Sequence, residues 1–373
     1  MAKLGEVCKV SPSTKNIERQ GAWLLNLDMV EQQTGRVIEY KYVGEDDLNG
    51  SIIQFDTENV LYSKLRPNLN KVVLPQKDGF STSELLPLRP DAGVLNRDYL
   101  AAFLRSDSFV TWAVSKTAGA KMPRLGTKDL MNAEIPVPNI EQQKKIAEKF
   151  KKLEQLISLR KQQLEKLDEL VKARFVEMFG DLDSRPKQKI KDITKRVKVG
   201  FVGTCEKYYT SNSEIPMLRT TNITAHGIDL KDLKYVTKEF HEKNPKSQVH
   251  AGDLLIARHG ANGQANAYYG REAQCLNAII IEPDINITNS IFLEYLINSI
   301  GVKSQINKKL VGSTQHVLNT TTLANVEVSI PEMREQQTFS AFVERVNQQK
   351  QTVQRSLEKL ELMKRALMQE YFG

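Results

Sequence analysis

The chain is written twice, and no other feature limits its fold so strongly. Displacing the 373-residue sequence by 193 positions sets Leu25 on Leu218, Leu61 on Leu254, Asp91 on Asp284, Leu100 on Leu293, Gly119 on Gly312, Leu125 on Leu318 and Leu130 on Leu323. The same displacement pairs Pro138 with Pro331, Leu164-Glu165-Lys166-Leu167 with Leu357-Glu358-Lys359-Leu360, Ala173 with Ala366, and Phe179-Gly180 with Phe372-Gly373. Only Glu141-Gln142-Gln143 slips, by one residue, onto Glu335-Gln336-Gln337. Solenoid repeats run about 20–50 residues, so two copies of so long a period mean a duplicated domain.

Each copy divides on its hydrophobic period. Short apolar runs such as Ser51-Ile52-Ile53, Lys71-Val72-Val73-Leu74 and Ala278-Ile279-Ile280-Ile281, broken by Gly, Pro, Asn and Asp, predict strands and loops, with a helix near 96–114 and another near 289–309. After each such unit comes a Gly- and Pro-free stretch, 142–179 and 335–372, rich in Gln, Glu, Lys, Arg and Leu, which predicts a long helix. Phe150, Ile157, Leu164, Val171 and Met178 recur every seven residues, joined by Ile146, Leu153 and Leu167 in a second series that Arg160 and Arg174 interrupt. Phe339, Val346, Val353, Leu360 and Leu367 do the same in the second stretch, and a sustained heptad argues for coiled-coil packing.

At 1.5 Å per residue a helix of this length carries the chain about 57 Å, so helix-on-helix packing requires the second helix to run back antiparallel. The expected fold is α+β: two tandem globular heads separated by an antiparallel two-helix coiled coil with pseudo-twofold symmetry, at 1–140, 141–180, 181–333 and 334–373. Leu156, Leu159, Leu170 and Phe175 in the first helix and Leu362 in the second lie off the unbroken series. They suit either a docking face for partner helices or packing of the helix ends onto their own heads.

Composition excludes several classes. Hydrophobic residues at 40% and charged residues at 26% are ordinary for a globular protein. No apolar run approaches the roughly 18 residues that span a bilayer, and Lys3, Glu6 and Lys9 stand where a signal peptide needs an apolar core, so a cytoplasmic protein without membrane contact is expected. Cys8, Cys205 and Cys275 are far apart and read as buried free thiols, neither a disulfide framework nor a zinc site. The net charge of +8 favours an anionic partner, yet basic and acidic residues balance at 17 each over 1–140, so charge alone argues weakly for nucleic acid.

The order of motifs resembles the DNA-specificity subunit of type I restriction-modification systems over essentially the whole chain. The residues that carry the likeness are Ile135-Pro136-Val137-Pro138-Asn139-Ile140-Glu141-Gln142-Gln143 and Ile330-Pro331-Glu332-Met333-Arg334-Glu335-Gln336-Gln337 at the helix starts. Further ones are Leu61-Tyr62-Ser63-Lys64-Leu65-Arg66-Pro67-Asn68, Gly252-Asp253-Leu254-Leu255-Ile256-Ala257-Arg258 and Gly312-Ser313-Thr314-Gln315, the last replaced in the first copy by Gly119-Ala120-Lys121-Met122-Pro123-Arg124. The resemblance implies a non-catalytic reader in which each head is a target-recognition domain for half of a bipartite site in double-stranded DNA. It further implies two docked methylation subunits, with two restriction or motor subunits where cleavage is coupled. S-adenosylmethionine, and ATP with Mg²⁺ where motor subunits join, would belong to those partners.

The residues also speak to DNA on their own. Duplex DNA is dyad-symmetric, which suits paired readers. Base edges call for Arg or Lys against guanine and Asn or Gln against adenine, while phosphates take Lys, Arg, Ser and Thr. The candidate DNA-binding residues are therefore Lys64, Arg66, Asn68, Lys71, Lys121 and Arg124 in the first head. In the second they are Arg219, Asn222, Arg258, His259, Asn262, Gln264, Gln315 and His316.

No catalytic, cofactor or metal site is expected in the chain itself. It has no ATP-binding Gly-x-x-x-x-Gly-Lys-Ser/Thr loop and no Asn/Asp-Pro-Pro-aromatic tetrapeptide of amino-methyltransferases. His241, His250 and His259 lie nine apart, which matches no metal-ligand spacing. The alternative function is a coiled-coil scaffold joining two protein-binding heads without DNA contact.

Overall fold

The computed structural model describes residues 1–19, 21–48, 51–119, 121–180, 185–224, 227–258, 263–310 and 317–373. It separates into two compact units, Met1–Gln162 with Val353–Gly373 and Gln163–Thr352. Both boundaries fall inside long helices, so each unit contains a head and one half of each helix.

The first head contains strands β1 (Cys8–Val10), β2 (Ala22–Leu25), β3 (Lys41–Val43), β4 (Ile52–Phe55), β5 (Val60–Ser63), β6 (Val72–Val73), β7 (Gly79–Thr82) and β8 (Leu85–Pro90). They form two four-stranded sheets, ordered β1-β8-β5-β6 and β3-β2-β7-β4, with β2 and β7 parallel and the other neighbours antiparallel. The second head repeats them as β9 (Thr194–Val199), β10 (Ile215–Arg219), β11 (Lys234–Val236), β12 (Gln248–Val249), β13 (Leu254–Ala257), β14 (Ala265–Ala267), β15 (Ala273–Leu276) and β16 (Ala278–Pro283). Their orders, β9-β16-β13-β14 and β11-β10-β15-β12, reproduce the first head strand for strand, with β10 and β15 the parallel pair.

Strands buried on both faces explain why the central runs show no polar alternation. In β13 and β16, Leu254, Ile256, Ile279 and Ile281 face the helices, while Leu255, Ala257, Ala278 and Ile280 face the other sheet. Val60, Tyr62, Leu86 and Leu88 face the helices of the first unit in the same way, and Leu61 and Leu85 meet Trp23 and Phe55 between its sheets. All three cysteines are buried free thiols.

The displacement of 193 holds at the strand ladders of β8 and β16 and changes to 194 inside each head. Val60 stands opposite Leu88, whereas Leu254 stands opposite Ile281, so the counterpart of Leu61 is Leu255 and that of Lys64 is Arg258. The register returns because Ser83-Glu84 joins β7 to β8 while Asn277 alone joins β15 to β16. The two expected helices near 96–114 and 289–309 are each broken in two: α1 (Arg97–Leu104) and α2 (Asp107–Ser115), then, in the second head, α4 (Ser290–Asn298) and α5 (Ile300–Leu310). Ser106 makes the first break, its hydroxyl accepting from Phe109 N–H as a new N-cap, and Ser299 in extended backbone makes the other.

The long helices are α3 (Ile140–Phe179) and α6 (Met333–Phe372), each starting two residues before the expected position. Their starts are fixed by one buried side chain apiece. Gln143 Oε1 accepts from Asn96 N–H at 2.8 Å, and its amide donates to Val94 O at 2.9 Å and Pro138 O at 2.7 Å. Gln336 Oε1 accepts from Asn289 N–H at 2.8 Å, and its amide N–H groups donate to Ile287 O at 3.0 Å and Pro331 O at 2.9 Å. Gln143 and Gln336 are 193 apart, so the displaced Glu-Gln-Gln reading is corrected: the buried amide keeps register and only its neighbours slip.

Within the first unit, the start of α3 packs beside the end of α6, as Phe150, Met368 and Phe372 share one core with Tyr99 and Phe103. Arg105 and Lys364 both bond Glu154, at 3.1 and 2.9 Å; burial works to raise that carboxyl, but the two cations hold it below the ordinary range. Within the second unit, the end of α3 packs beside the start of α6, with Val171, Phe175 and Phe179 against Phe292, Phe339 and Val343. Both pairings are antiparallel. Phe175 is thus core in its own unit, which removes it from the candidate docking face, while Leu156, Leu159, Leu170 and Leu362 are exposed.

The helices also cover open sheet edges. Arg105 donates to Val72 O on β6 at 2.7 Å, Asn298 exchanges two hydrogen bonds with Ala265 on β14, and Glu294 accepts from Ala267 N–H at 3.1 Å. Burial pushes the Glu294 carboxyl up to about 7, against the pull of that hydrogen bond and of Lys350. Its native value lies above the unfolded one, so the native state holds more protons and stability falls as pH rises from about 4.5 to about 7.

Two outcomes follow for unfolding measurements. Gln143→Leu strands three backbone groups at about 1–3 kcal/mol each and so lowers urea-unfolding stability by about 3 kcal/mol or more. Glu294→Gln keeps an acceptor for Ala267 and removes the charge, so its stability relative to the parent rises by about 1–2 kcal/mol between pH 5 and pH 8 in thermal melts.

Candidate nucleic-acid interface

Beyond β5 the chain turns through Pro67–Leu69, flanked by Arg66 and Asn70, both left-handed at φ 50° and 49°. This turn is bound to the segment ahead of the long helix: Arg66 N–H donates to Pro123 O at 2.8 Å and Leu125 N–H to Lys64 O at 2.9 Å. All six residues expected in the first head therefore come together at one corner. They do not have equal freedom. Lys71 Nζ is held on Leu27 O at 2.6 Å, with burial pulling its pKa down, and Arg124 is paired with Glu84 at 2.8 Å. Among the described residues, the side chains of Lys64, Arg66, Asn68 and Lys121 make no hydrogen bond or ion pair.

The second head builds the equivalent corner with different side chains. Leu318 N–H donates to Arg258 O at 3.2 Å, while the Arg258 guanidinium donates to Leu318 O at 3.3 Å and to Asn277 Oδ1 at 3.1 Å. Asn277 is the one-residue join between β15 and β16 and takes φ 55°. Arg258 thus braces the corner where Arg124 and Glu84 brace its counterpart. Neither Glu84 nor Asn277 was singled out by sequence; each sits in a strand-to-strand turn whose length differs between the copies.

Arg219 and Asn222 are likewise occupied within the fold. Asn222 is buried, its Oδ1 accepting from Arg219 N–H at 3.0 Å and its amide donating to Asp229 O at 3.0 Å. Arg219 donates to Asp232 O at 2.7 Å. Gln264 is half-buried beside Gly263, whose carbonyl accepts from Lys303; burial brings that lysine down to about 8. His259, Asn262, Gln315 and His316 lie outside the described residues. Among the described residues no group of His, Cys, Asp and Glu is arranged to hold a metal ion, and no helix is long and apolar enough to cross a membrane.

Two heads of identical sheet order, each with a braced polar corner and each followed by a 40-residue helix, define a duplicated recognition protein. The family profile described as type I restriction modification DNA specificity domain matches residues 1–169 and 188–362, and the chain belongs to that family. It is a DNA sequence-specificity subunit by descent, and no finding supports the alternative of a scaffold without DNA contact.

It is 22% identical over 324 residues to the type I restriction enzyme MjaVIII specificity subunit of Methanocaldococcus jannaschii, spanning 81% of this chain and 75% of that one. It is 26% identical over 124 residues to the EcoDI specificity subunit of Escherichia coli, a stretch covering 33% of this chain but only 27% of that subunit. In fold it is similar to the type I S subunit from M. genitalium, at TM-score 0.60 and 15% identity over 100% of this chain and 95% of the other. It is similar too, at TM-score 0.58 and 15% identity over 100% and 96%, to a chain solved in work on complex assembly and conformational transition of the type I R-M system.

Asn222→Ala removes the brace beneath Arg219 and lowers stability by about 1–3 kcal/mol, measured by chemical unfolding of the full chain.

Proposed function

We propose that this chain is the non-catalytic reader of a type I restriction-modification complex in the cytoplasm. One head binds one half of a bipartite, asymmetric site in double-stranded DNA and the other head binds the second half. Two methylation subunits dock on the helices and heads, and the exposed Leu156, Leu159, Leu170 and Leu362 offer them apolar surface. Adenine methylation from S-adenosylmethionine, and ATP- and Mg²⁺-dependent cleavage where two motor subunits join, are the work of those partners.

The observation that carries this reading is the contrast between scaffold and corner. The two heads agree in sheet order and in the buried glutamine, yet the corner uses Lys64 and Arg66 with an Arg124–Glu84 brace in one and Arg258 with Asn277 in the other. Similar platforms with different polar tips suit two unlike half-sites on one regular duplex. Mapping methylated adenines in the source genome tests it: an interrupted, asymmetric motif should vanish when the gene is deleted, and an unchanged methylation pattern defeats the reading.

Arg66 allows binding to be separated from folding, because its left-handed backbone is one that glycine adopts without strain. Arg66→Gly should leave the unfolding midpoint unchanged or higher while weakening binding to the cognate duplex by about 1–3 kcal/mol, read by fluorescence anisotropy.

A further inference from the structure

One surface of the two heads has not diverged. The edge strands β3 and β11 carry the same tripeptide, Lys41-Tyr42-Val43 and Lys234-Tyr235-Val236, 193 residues apart. They also keep one register, Tyr42 opposite Trp23 and Tyr235 opposite Pro216. Val43 and Val236 anchor the strands in the core, whereas Lys41, Lys234 and Tyr42 are exposed and Tyr235 is half-buried.

Each tyrosine has a cation beside it, delivered from another part of the chain, at the hydroxyl of Tyr42 and near the ring of Tyr235. Lys77 Nζ lies 5.7 Å from the Tyr42 ring centre and 3.0 Å from its hydroxyl, and the Arg271 guanidinium lies 5.6 Å from the Tyr235 ring centre. Lys77 stands two residues before β7 and Arg271 two before β15, so they are the same position in the two heads. Both are exposed; Lys77 also reaches the Tyr40 ring, and Arg271 also pairs with the exposed Glu214 at 3.3 Å.

The surroundings differ: Trp23 is replaced by Pro216 and Tyr40 by Leu233. The outer side of β11 is bridged by Tyr209, with Thr210 N–H donating to Tyr235 O at 3.0 Å. A lysine on a sheet edge discourages edge-to-edge pairing, but that role does not call for a second cation beside the neighbouring tyrosine. What two unlike half-sites have in common is the phosphate backbone, and Lys, Arg and Tyr hydroxyl groups are its usual ligands. Lys77, held on the Tyr42 hydroxyl, and Arg271, near the Tyr235 ring, both keep their side chains exposed.

We propose that these edges, Lys41, Tyr42 and Lys77 in the first head and Lys234, Tyr235 and Arg271 in the second, bind DNA phosphates and secure each head to duplex of any sequence. The proposal rests on the DNA-reading function and assigns the sequence-independent part of the binding to a surface apart from the polar corners.

The test uses the tagged full chain, isolated with the subunits that accompany it in its own cell, on two duplexes of unrelated sequence over a salt titration. K77Q/R271Q should lower the slope of log affinity against log salt by about two, equally on both duplexes. K77R/R271K should keep the parental slope, and K41Q/K234Q, on the same edges but off the rings, should lower it as K77Q/R271Q does. Parental slopes in both glutamine pairs, with duplex binding intact, overturn the proposal and leave the DNA-reading function standing. So does a parental slope with loss of the accompanying subunits, which makes the edge a protein-docking surface. A parent preparation that binds neither duplex at any salt overturns the DNA-reading function and this inference with it.

Discussion

The rest of each unit depends on one buried amide. An amide offers one acceptor and two donors, and at Gln143 the acceptor meets Asn96 N–H while the donors meet Val94 and Pro138 carbonyls. Those three partners come from the turn before α1 and the extended segment before α3, so a single side chain sets the angle and register at which the long helix leaves its head. A carboxylate there would present two acceptors to two carbonyls, and an apolar side chain would leave all three groups unpaired at a cost of about 1–3 kcal/mol for each stranded group. Gln336 makes the same three contacts with the equivalent partners. With the helix starts fixed, Phe150 and Phe339 are placed to receive the aromatic ends of the antiparallel neighbours, Phe372 in one unit and Phe179 in the other.

Because both unit boundaries lie within helices, the core of the first unit belongs to no contiguous segment, whereas the second unit is the single stretch Gln163–Thr352. The first unit draws on residues up to Gln162 and again from Val353, and Met368 and Phe372 sit in the same cluster as Leu4 and Leu100. The first head is therefore completed by helix from the far end of the sequence, and the second by the helix end just before it and the helix start just after it. The partly buried Arg105–Glu154–Lys364 triplet adds direction to that apolar contact, since the carboxylate must meet a cation from the head and another from α6. Its burial makes a mismatched helix register costly, because any shift would leave a charge unpaired away from water.

The duplication, the α+β heads and the heptad helices were legible in sequence because each is a periodic signal spread over tens of residues. What stayed hidden was set by single residues. The slip to 194 inside the heads depends on where one residue is gained and lost, and leucine-rich runs such as Leu254-Leu255 look equally good in either register. The breaks at Ser106 and Ser299 fall inside apolar stretches whose average pattern stays helical. Phe175 was indistinguishable from Leu170 as an off-series apolar residue, yet the first packs on Phe292 and Phe339 and the second is exposed. Periodicity records which faces are apolar and does not say what covers them. For the candidate corner, the residues chosen in the first head lie on adjoining segments, but residue type could not separate Lys64 and Arg66, whose side chains make no hydrogen bond or ion pair among the described residues, from Lys71 and Arg124, which are tied to Leu27 and Glu84.

An internal duplicate supplies its own control on such assignments. Where both copies keep a side chain and its contact, as at Gln143 and Gln336, the shared element is the scaffold or a partner feature common to both halves. Where the geometry persists but the residues change, as between Arg124–Glu84 and Arg258–Asn277, the fold needs a brace without needing a particular one, and the neighbouring tips are free to diverge. The Lys-Tyr pairs of the edges are kept, each with a cation beside the tyrosine, although Lys41, Tyr42 and Lys234 are exposed, where packing imposes little. A repeated exposed contact therefore needs a cause outside the core, and for a protein with two different recognition corners that cause must be something both corners meet alike.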